Sequence, residues 1–165
     1  MLMMGKAEIY AYLAQRGIWY EVTEHPAVYN MAELSTLVLP YPEADAKNLF
    51  LRDDKKRNYY LVTVKGEKRV DLKEFRKAQG TRPLSFASAE ELAERMGLTP
   101  GAVSPLGILN DHAGQVQLVI DDELAKGAGR VGVHPNDNTA TVWLRTADLV
   151  KMIEEHGNPV TYMRL

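Results

Sequence analysis

Apolar residues along this chain gather more often into short strand-like runs than into helical stripes. Leu49-Phe50-Leu51 is an unbroken apolar run, and Tyr59-Tyr60-Leu61-Val62-Thr63-Val64 is aromatic and β-branched. The polar stretch Asp53 to Asn58 lies between them, so the two are predicted to pair as a hairpin. Trp19 to Thr23 reads as a short strand stopped by His25-Pro26, because a residue before proline leans to extended backbone. Val116 to Ile120, Arg130 to Val133 (stopped by His134-Pro135) and Thr139 to Leu144 read as further strands, with Val160 to Met163 as an edge strand.

Helices are marked by their ends. Lys6 to Arg16 spaces Ile9 and Leu13 helically and stops at Gly17. Asn30 is placed to cap a helix from Met31 to about Val38, with Glu33 in capping-box position, before Pro40-Tyr41-Pro42 forces a loop. Asp71 caps Leu72 to Ala78, which ends at Gly80, and Ser88 caps a helix through Met96 that ends at Gly97. Thr146 is predicted to cap the last helix, through His156, and Asp121 to Ala125 to form a turn or short helix. No repeat or linker interrupts the pattern, so residues 1–165 read as a single α+β domain.

Composition supports a packed core: 165 residues, 45% hydrophobic and 25% charged. The absence of cysteine excludes a disulfide framework, a thiolate metal site and a cysteine nucleophile. His25, His112, His134 and His156 lack the i, i+4 spacing of a zinc helix, so neither metal nor cofactor is expected. The Met-Leu-Met-Met start is too short for a signal peptide and no run approaches the roughly 18 apolar residues of a membrane span, which leaves the cytoplasm as the expected location and no membrane partner. A net charge of -2 argues against coating nucleic acid by charge alone. Small local contacts remain open, and the basic clusters Arg52 to Arg57 and Lys65 to Lys77 read as solvated faces or as such contacts.

Three groups of residues carry candidate chemistry. Lys47 and Asn48 stand where the apolar run Leu49-Phe50-Leu51 begins, and an unpaired ammonium buried there would cost several kcal/mol. Lys47 therefore either faces a pocket or snorkels to water. In Gly101-Ala102-Val103-Ser104-Pro105 a glycine permits close backbone approach and a proline fixes the exit, so successive N–H groups can point at one oxygen; an ordinary connecting loop fits as well. His134-Pro135-Asn136-Asp137-Asn138 is a polar turn of the same double meaning. There is no carboxylate pair suited to glycoside cleavage, no phosphate-cradling glycine loop and no nucleophile elbow. An enzyme built from these residues works by positioning and electrostatics.

Lys47-Asn48-Leu49-Phe50-Leu51-Arg52-Asp53, Leu84-Ser85-Phe86-Ala87-Ser88, Gly101 to Gly107 and His134 to Thr139 together resemble, in this order, the freestanding prolyl-tRNA editing proteins. These belong to the superfamily of the bacterial YbaK protein and of the editing domain inserted in prolyl-tRNA synthetase, and the resemblance is nearest to the Ala-tRNA(Pro) deacylase (ProX/PrdX-like) branch. It implies a mixed β-sheet or barrel-like core flanked by helices, and hydrolysis of the ester joining alanine to the 3′ end of tRNA(Pro). By the same resemblance Lys47 is the essential lysine, holding the terminal ribose-phosphate or orienting the ester. Backbone amides of the Gly101 loop (Ala102, Val103, Ser104, with Pro105) receive the oxyanion, a contribution of about 3 kcal/mol. His134 and Asn138 close the amino-acid pocket, Asn48 lies beside the lysine, and Val28, Tyr29 and Leu34 are candidate walls, with plain core packing the alternative for all three and the favoured one for Leu34. Arg52 and Arg82 are candidate contacts to the acceptor stem, and prolyl-tRNA synthetase is a candidate partner.

A proline-shaped site cannot strongly reject alanine, since a missing methylene is worth only about 1–3 kcal/mol, so a second, smaller sieve is needed. The loop Leu39 to Ala46 departs from the smaller, more neutral loop of many relatives, and Asp45 is placed to pair with Lys47. Cysteine or serine in place of alanine, a non-catalytic module that binds tRNA or a synthetase, and a hydrolase of free amino-acid esters are the alternatives these residues leave open.

Overall fold

The two runs flanking Asp53 to Asn58 pair as predicted. β2 (Ala46–Asp53) and β3 (Tyr59–Lys65) are antiparallel, with Lys47 opposite Val64 and Asn48 opposite Thr63. Asp53 builds the turn: its buried carboxylate accepts from the Lys55 and Arg57 amides at 3.1 and 2.9 Å and from Asn58 Nδ2 at 2.8 Å. Burial alone would raise its pKa, but these hydrogen bonds to the charged form prevail and hold it below the ordinary carboxylate value. The turn is thus fixed by charge as well as by shape.

This computed structural model describes residues 3–27 and 39–165. The predicted helix over 31–38 with its Asn30 cap, and the proposed pocket walls Val28, Tyr29 and Leu34, lie outside the described residues. Around the hairpin runs a five-stranded mixed sheet in the order β4 (Leu84–Phe86), β2, β3, β5 (Val116–Asp121), β8 (Val160–Met163). β3, β5 and β8 are parallel, and β2 is antiparallel to both of its neighbours. A second, antiparallel sheet has the order β1 (Tyr20–Glu24), β7 (Ala140–Arg145), β6 (Arg130–Val133). A single parallel bridge between Asp45 and Gly132 joins the two. The core is therefore a pair of open sheets, and the barrel-like closure anticipated above does not occur among the described residues.

β3 is central and buried on both faces. Tyr59 and Leu61 enter the larger apolar cluster with Phe50, Leu118, Val142 and Leu144, while Tyr60 and Val62 meet Leu51 and Phe75 in a smaller one. Among the described residues four α-helices cover these clusters: α1 (Lys6–Gln15), α2 (Leu72–Gln79), α3 (Ala89–Met96) and α4 (Thr146–His156). Asp71 and Ser88 cap α2 and α3 by accepting first-turn amides, and Gly80 and Gly97 end those helices in left-handed conformation. Thr146 is the exception to the predicted caps. It is the first residue of α4, preceded by Arg145, and its hydroxyl donates to Leu124 O at 2.6 Å instead of receiving a helix amide.

Candidate functional site

Alternation along β2 sends Asn48 and Lys47 to opposite faces of the five-stranded sheet. On the Asn48 face, its Oδ1 accepts from the buried Thr63 hydroxyl at 2.6 Å. There the strand, the Phe86 to Ala89 segment and the Pro100 turn enclose a cavity of about 180 Å³, lined by Asn48, Phe50, Ala87, Leu92, Pro100 and Val103. Two of the four motifs of the sequence thus meet a third at one small, largely apolar hollow.

The Gly101 loop is folded as a 3-10 turn, Pro100–Ala102, followed after Ser104 by a longer one, Pro105–Asn110. The Ala102 amide is satisfied by Thr99 O at 2.9 Å, and Pro105 has no N–H. For the Gly101, Val103 and Ser104 amides no backbone partner occurs among the described residues. Ser104 is fully buried and works as a clamp: its hydroxyl donates to His134 O at 2.6 Å and accepts from the Leu106 amide at 3.2 Å. The loop and the His134 turn therefore form one unit.

His134 Nδ1 lies 3.0 Å from Ala140 O, and because a carbonyl only accepts, Nδ1 carries the hydrogen. Burial pushes the imidazole pKa below its ordinary value, against the Ala140 bond and with help from His25. Its Nε2 is consequently a lone-pair acceptor at neutral pH. His25, which the sequence marked only as a strand stop, packs edge-on against this ring at 6.2 Å and meets the Thr141 hydroxyl at 2.9 Å through Nε2. No spacing in the sequence couples His25 to His134, since the β1–β7 pairing that aligns them is non-local. Asn138 sits half-buried in the same turn, and Asn136, in left-handed conformation, donates to Met4 O at 2.8 Å while its buried Oδ1 has no partner among the described residues.

Lys47 is half-buried, and its Nζ donates to Lys68 O at 2.5 Å. Among the described residues it is not joined to the Gly101 loop or to His134, so the structure brings two of the three proposed catalytic positions together and sets the third across the strand. The Asp45–Lys47 pair considered above does not form. Asp45 is 9% exposed, and burial raises its pKa to about 7 even though the Ala46 amide favours the charged form. Arg52 is held by Glu91 at 3.1 Å and by Asp53 O, and Arg82 grips Asp54 through two bonds of 2.6 and 3.0 Å. Both of the proposed acceptor-stem arginines thus already have acidic partners. No cluster of three or more metal-ligating side chains occurs among the described residues, and no helix there is long and apolar enough to cross a membrane.

Two open sheets, packed helices and a small apolar hollow beside β2 and the Gly101 loop define an α+β domain. Comparison with known proteins narrows this class. A family model described as an aminoacyl-tRNA editing domain matches residues 25–152. The chain is 42% identical over 158 residues, 96% of each chain, to the prolyl-tRNA editing protein ProX of Acetoanaerobium sticklandii. It is 33% identical over 162 residues, 94% of each chain, to the prolyl-tRNA synthetase associated domain-containing protein 1 of Bos taurus. A solved structure described as a candidate trans-editing enzyme for prolyl tRNA synthetase superposes with a TM-score of 0.69 at 22% identity, covering 100% of this chain and 99% of that one. This chain belongs to the aminoacyl-tRNA editing domain family.

Proposed function

We propose that this protein is a trans-acting aminoacyl-tRNA deacylase whose substrate is mischarged Ala-tRNA(Pro). The observation that carries the reading is the cavity of about 180 Å³ at which the Asn48 strand, the Ala87 segment and the Gly101 loop meet. That hollow has room for a methyl side chain and its ester, and Phe50, Leu92 and Val103 give it the apolar lining that a methyl group needs. Family membership and the relative named for prolyl-tRNA editing support the choice of bond and of tRNA.

In this reading water adds to the ester carbonyl carbon, and charge develops on the carbonyl oxygen. In this reading the Gly101, Val103 and Ser104 amides, on the loop that Ser104 ties to the His134 turn, receive it, and donors of this kind are worth about 3 kcal/mol in barrier. The intermediate then collapses with cleavage of the bond to the ribose oxygen, which takes up a proton, releasing free alanine and tRNA with its terminal hydroxyl restored. His134 Nε2, an acceptor by virtue of its fixed tautomer, orients the substrate ammonium or the attacking water. Lys47 leaves β2 on the other face, and only one of its three N–H donors is used by Lys68 O. It therefore holds the terminal phosphate as the RNA end passes over the start of β2, rather than touching the carbonyl.

A deacylation panel of tRNA(Pro) carrying alanine, serine, cysteine or proline tests the proposal. Hydrolysis should be fastest for alanine and negligible for proline. Equal rates for alanine and proline would remove the size sieve, and no hydrolysis of any ester would leave only a binding module.

A further inference from the structure

The end of the three-stranded sheet remote from His134 carries a surface that the reaction above does not use. Arg130 and Arg145 stand directly opposite each other in the β6–β7 ladder. Neither guanidinium has a carboxylate within ion-pair distance among the described residues. Like charges facing each other across a ladder destabilise a sheet. What they have instead is aromatic surface. Arg130 lies 4.4 Å from the Tyr41 ring centre and 5.7 Å from that of Trp19, and Arg145 lies 5.3 Å from Trp19.

Trp19 is half-buried, in contrast to Trp143, which is fully buried beneath Tyr41. Beside it opens a cleft of about 500 Å³, lined by Trp19, Arg145, Arg16 and Lys151 together with the acids Asp148 and Glu155. Glu155 is neutralised by Arg16 at 2.7 Å, so the cleft keeps a positive balance on the Trp19 side. Two guanidiniums without an ion-pair partner among the described residues, set around a half-buried indole, are the elements of a single-strand binding platform: the cations take phosphates and the part of the ring they leave uncovered stacks a base.

We propose that the Trp19–Arg130–Arg145 surface binds a single-stranded segment of RNA. The choice of RNA as the ligand rests on the function proposed above; the geometry itself calls for a chain of alternating anions and planar rings. β6 has four residues, so at about 3.3 Å per residue this surface lies roughly 13 Å from the His134 turn along the strand. It extends the contact beyond the single nucleotide that carries the ester.

The test uses the full chain and a fluorescently labelled, uncharged single-stranded RNA ending in CCA, with binding read by anisotropy across a series of KCl concentrations. The R130Q/R145Q variant should bind about tenfold or more weakly, and its plot of log affinity against log salt should be shallower by about 1.4, the value for two lost phosphate contacts to a single strand. Bound RNA should quench the intrinsic fluorescence of the parent protein but not of W19F, and this second variant carries the test if the double variant fails to unfold cooperatively by circular dichroism. Failure of the parent to bind the RNA, an unchanged affinity and slope in R130Q/R145Q, or competition by inorganic polyphosphate as effective as by RNA would overturn the proposal. Because the RNA carries no ester, loss of this proposal and loss of the deacylase reading are separate results.

Discussion

Lys47 and Asn48 are neighbours on β2 whose polar ends finish on opposite faces of one sheet, Lys47 Nζ at 2.5 Å from Lys68 O and Asn48 Oδ1 at 2.6 Å from Thr63 Oγ1. The asymmetry gives the two side chains different structural weight. Thr63 is fully buried, so removing its acceptor strands a hydroxyl, at a cost of about 1–3 kcal/mol. Asn48→Ala should therefore lower the urea-unfolding free energy by that amount. Lys47→Ala, which frees a carbonyl beside a half-exposed loop, should change it by less than about 1 kcal/mol.

Ser104 ties the glycine loop to the His134 turn, and its loss should loosen the site without opening the core. Ser104→Ala leaves His134 O and the Leu106 amide without their shared partner. The expected cost is about 1–3 kcal/mol in stability. The rate of ester hydrolysis should fall more than substrate affinity does, because amide donors displaced by an ångström no longer match the oxyanion. Single-turnover rates and binding of the uncharged tRNA separate the two effects.

Asp45 gives stability a pH dependence of unusual sign. Burial raises its pKa from 3.8 to about 7 in the folded chain, so between about pH 4 and 7 the folded form holds a proton that the unfolded form has released. Its contribution is complete below pH 4 and is lost as pH rises through 7. Asp45→Asn should flatten that decline and stabilise the protein at pH 8 by up to about 4 kcal/mol. Glu91 acts in the opposite window. Despite its burial, hydrogen bonds from the Ser88 amide, the Tyr59 hydroxyl and Arg52 hold it down at about 2, so its contribution is present above pH 4.5 and disappears as pH falls. Thermal unfolding of the parent and of Asp45→Asn from pH 3 to 8 checks both signs.

Gly132 marks where the two sheets touch. A Cβ added there would overlap the six-membered ring of Trp143, which is fully buried and anchored by its Nε1–H to Thr23 Oγ1 at 2.9 Å. Gly132→Ala should destabilise by about 1–3 kcal/mol, measured as a lower denaturation midpoint with an unchanged slope.

Much of this architecture is legible along the chain because it is local. The β2–β3 hairpin follows from two apolar runs and a polar turn, and the ends of α2 and α3 follow from Asp71, Gly80, Ser88 and Gly97. Thr146 escaped the same logic because a tertiary acceptor, Leu124 O, claims its hydroxyl. β4 is three residues long, too short for periodicity to register, and exists through its pairing with β2. The site is legible in part. The glycine loop and the His134 turn announced themselves by composition, but their clamp through Ser104, the His25–His134 contact and the burial of Asp45 arise from non-local pairing. Which face Lys47 takes depends on strand register, and a shift by one residue would exchange it with Asn48.

In the proposed reaction this chain releases alanine from tRNA(Pro) while the Lys47 ammonium holds the RNA end. Single-turnover deacylation of Ala-tRNA(Pro) by the parent and by Lys47→Ala, at matched folding stability, tests it most directly. Rapid release of alanine by the parent and a loss of about a hundredfold or more in the variant, equivalent to about 3 kcal/mol, is the predicted result. Equal rates in the two proteins, or no release above the spontaneous rate by either, would contradict it.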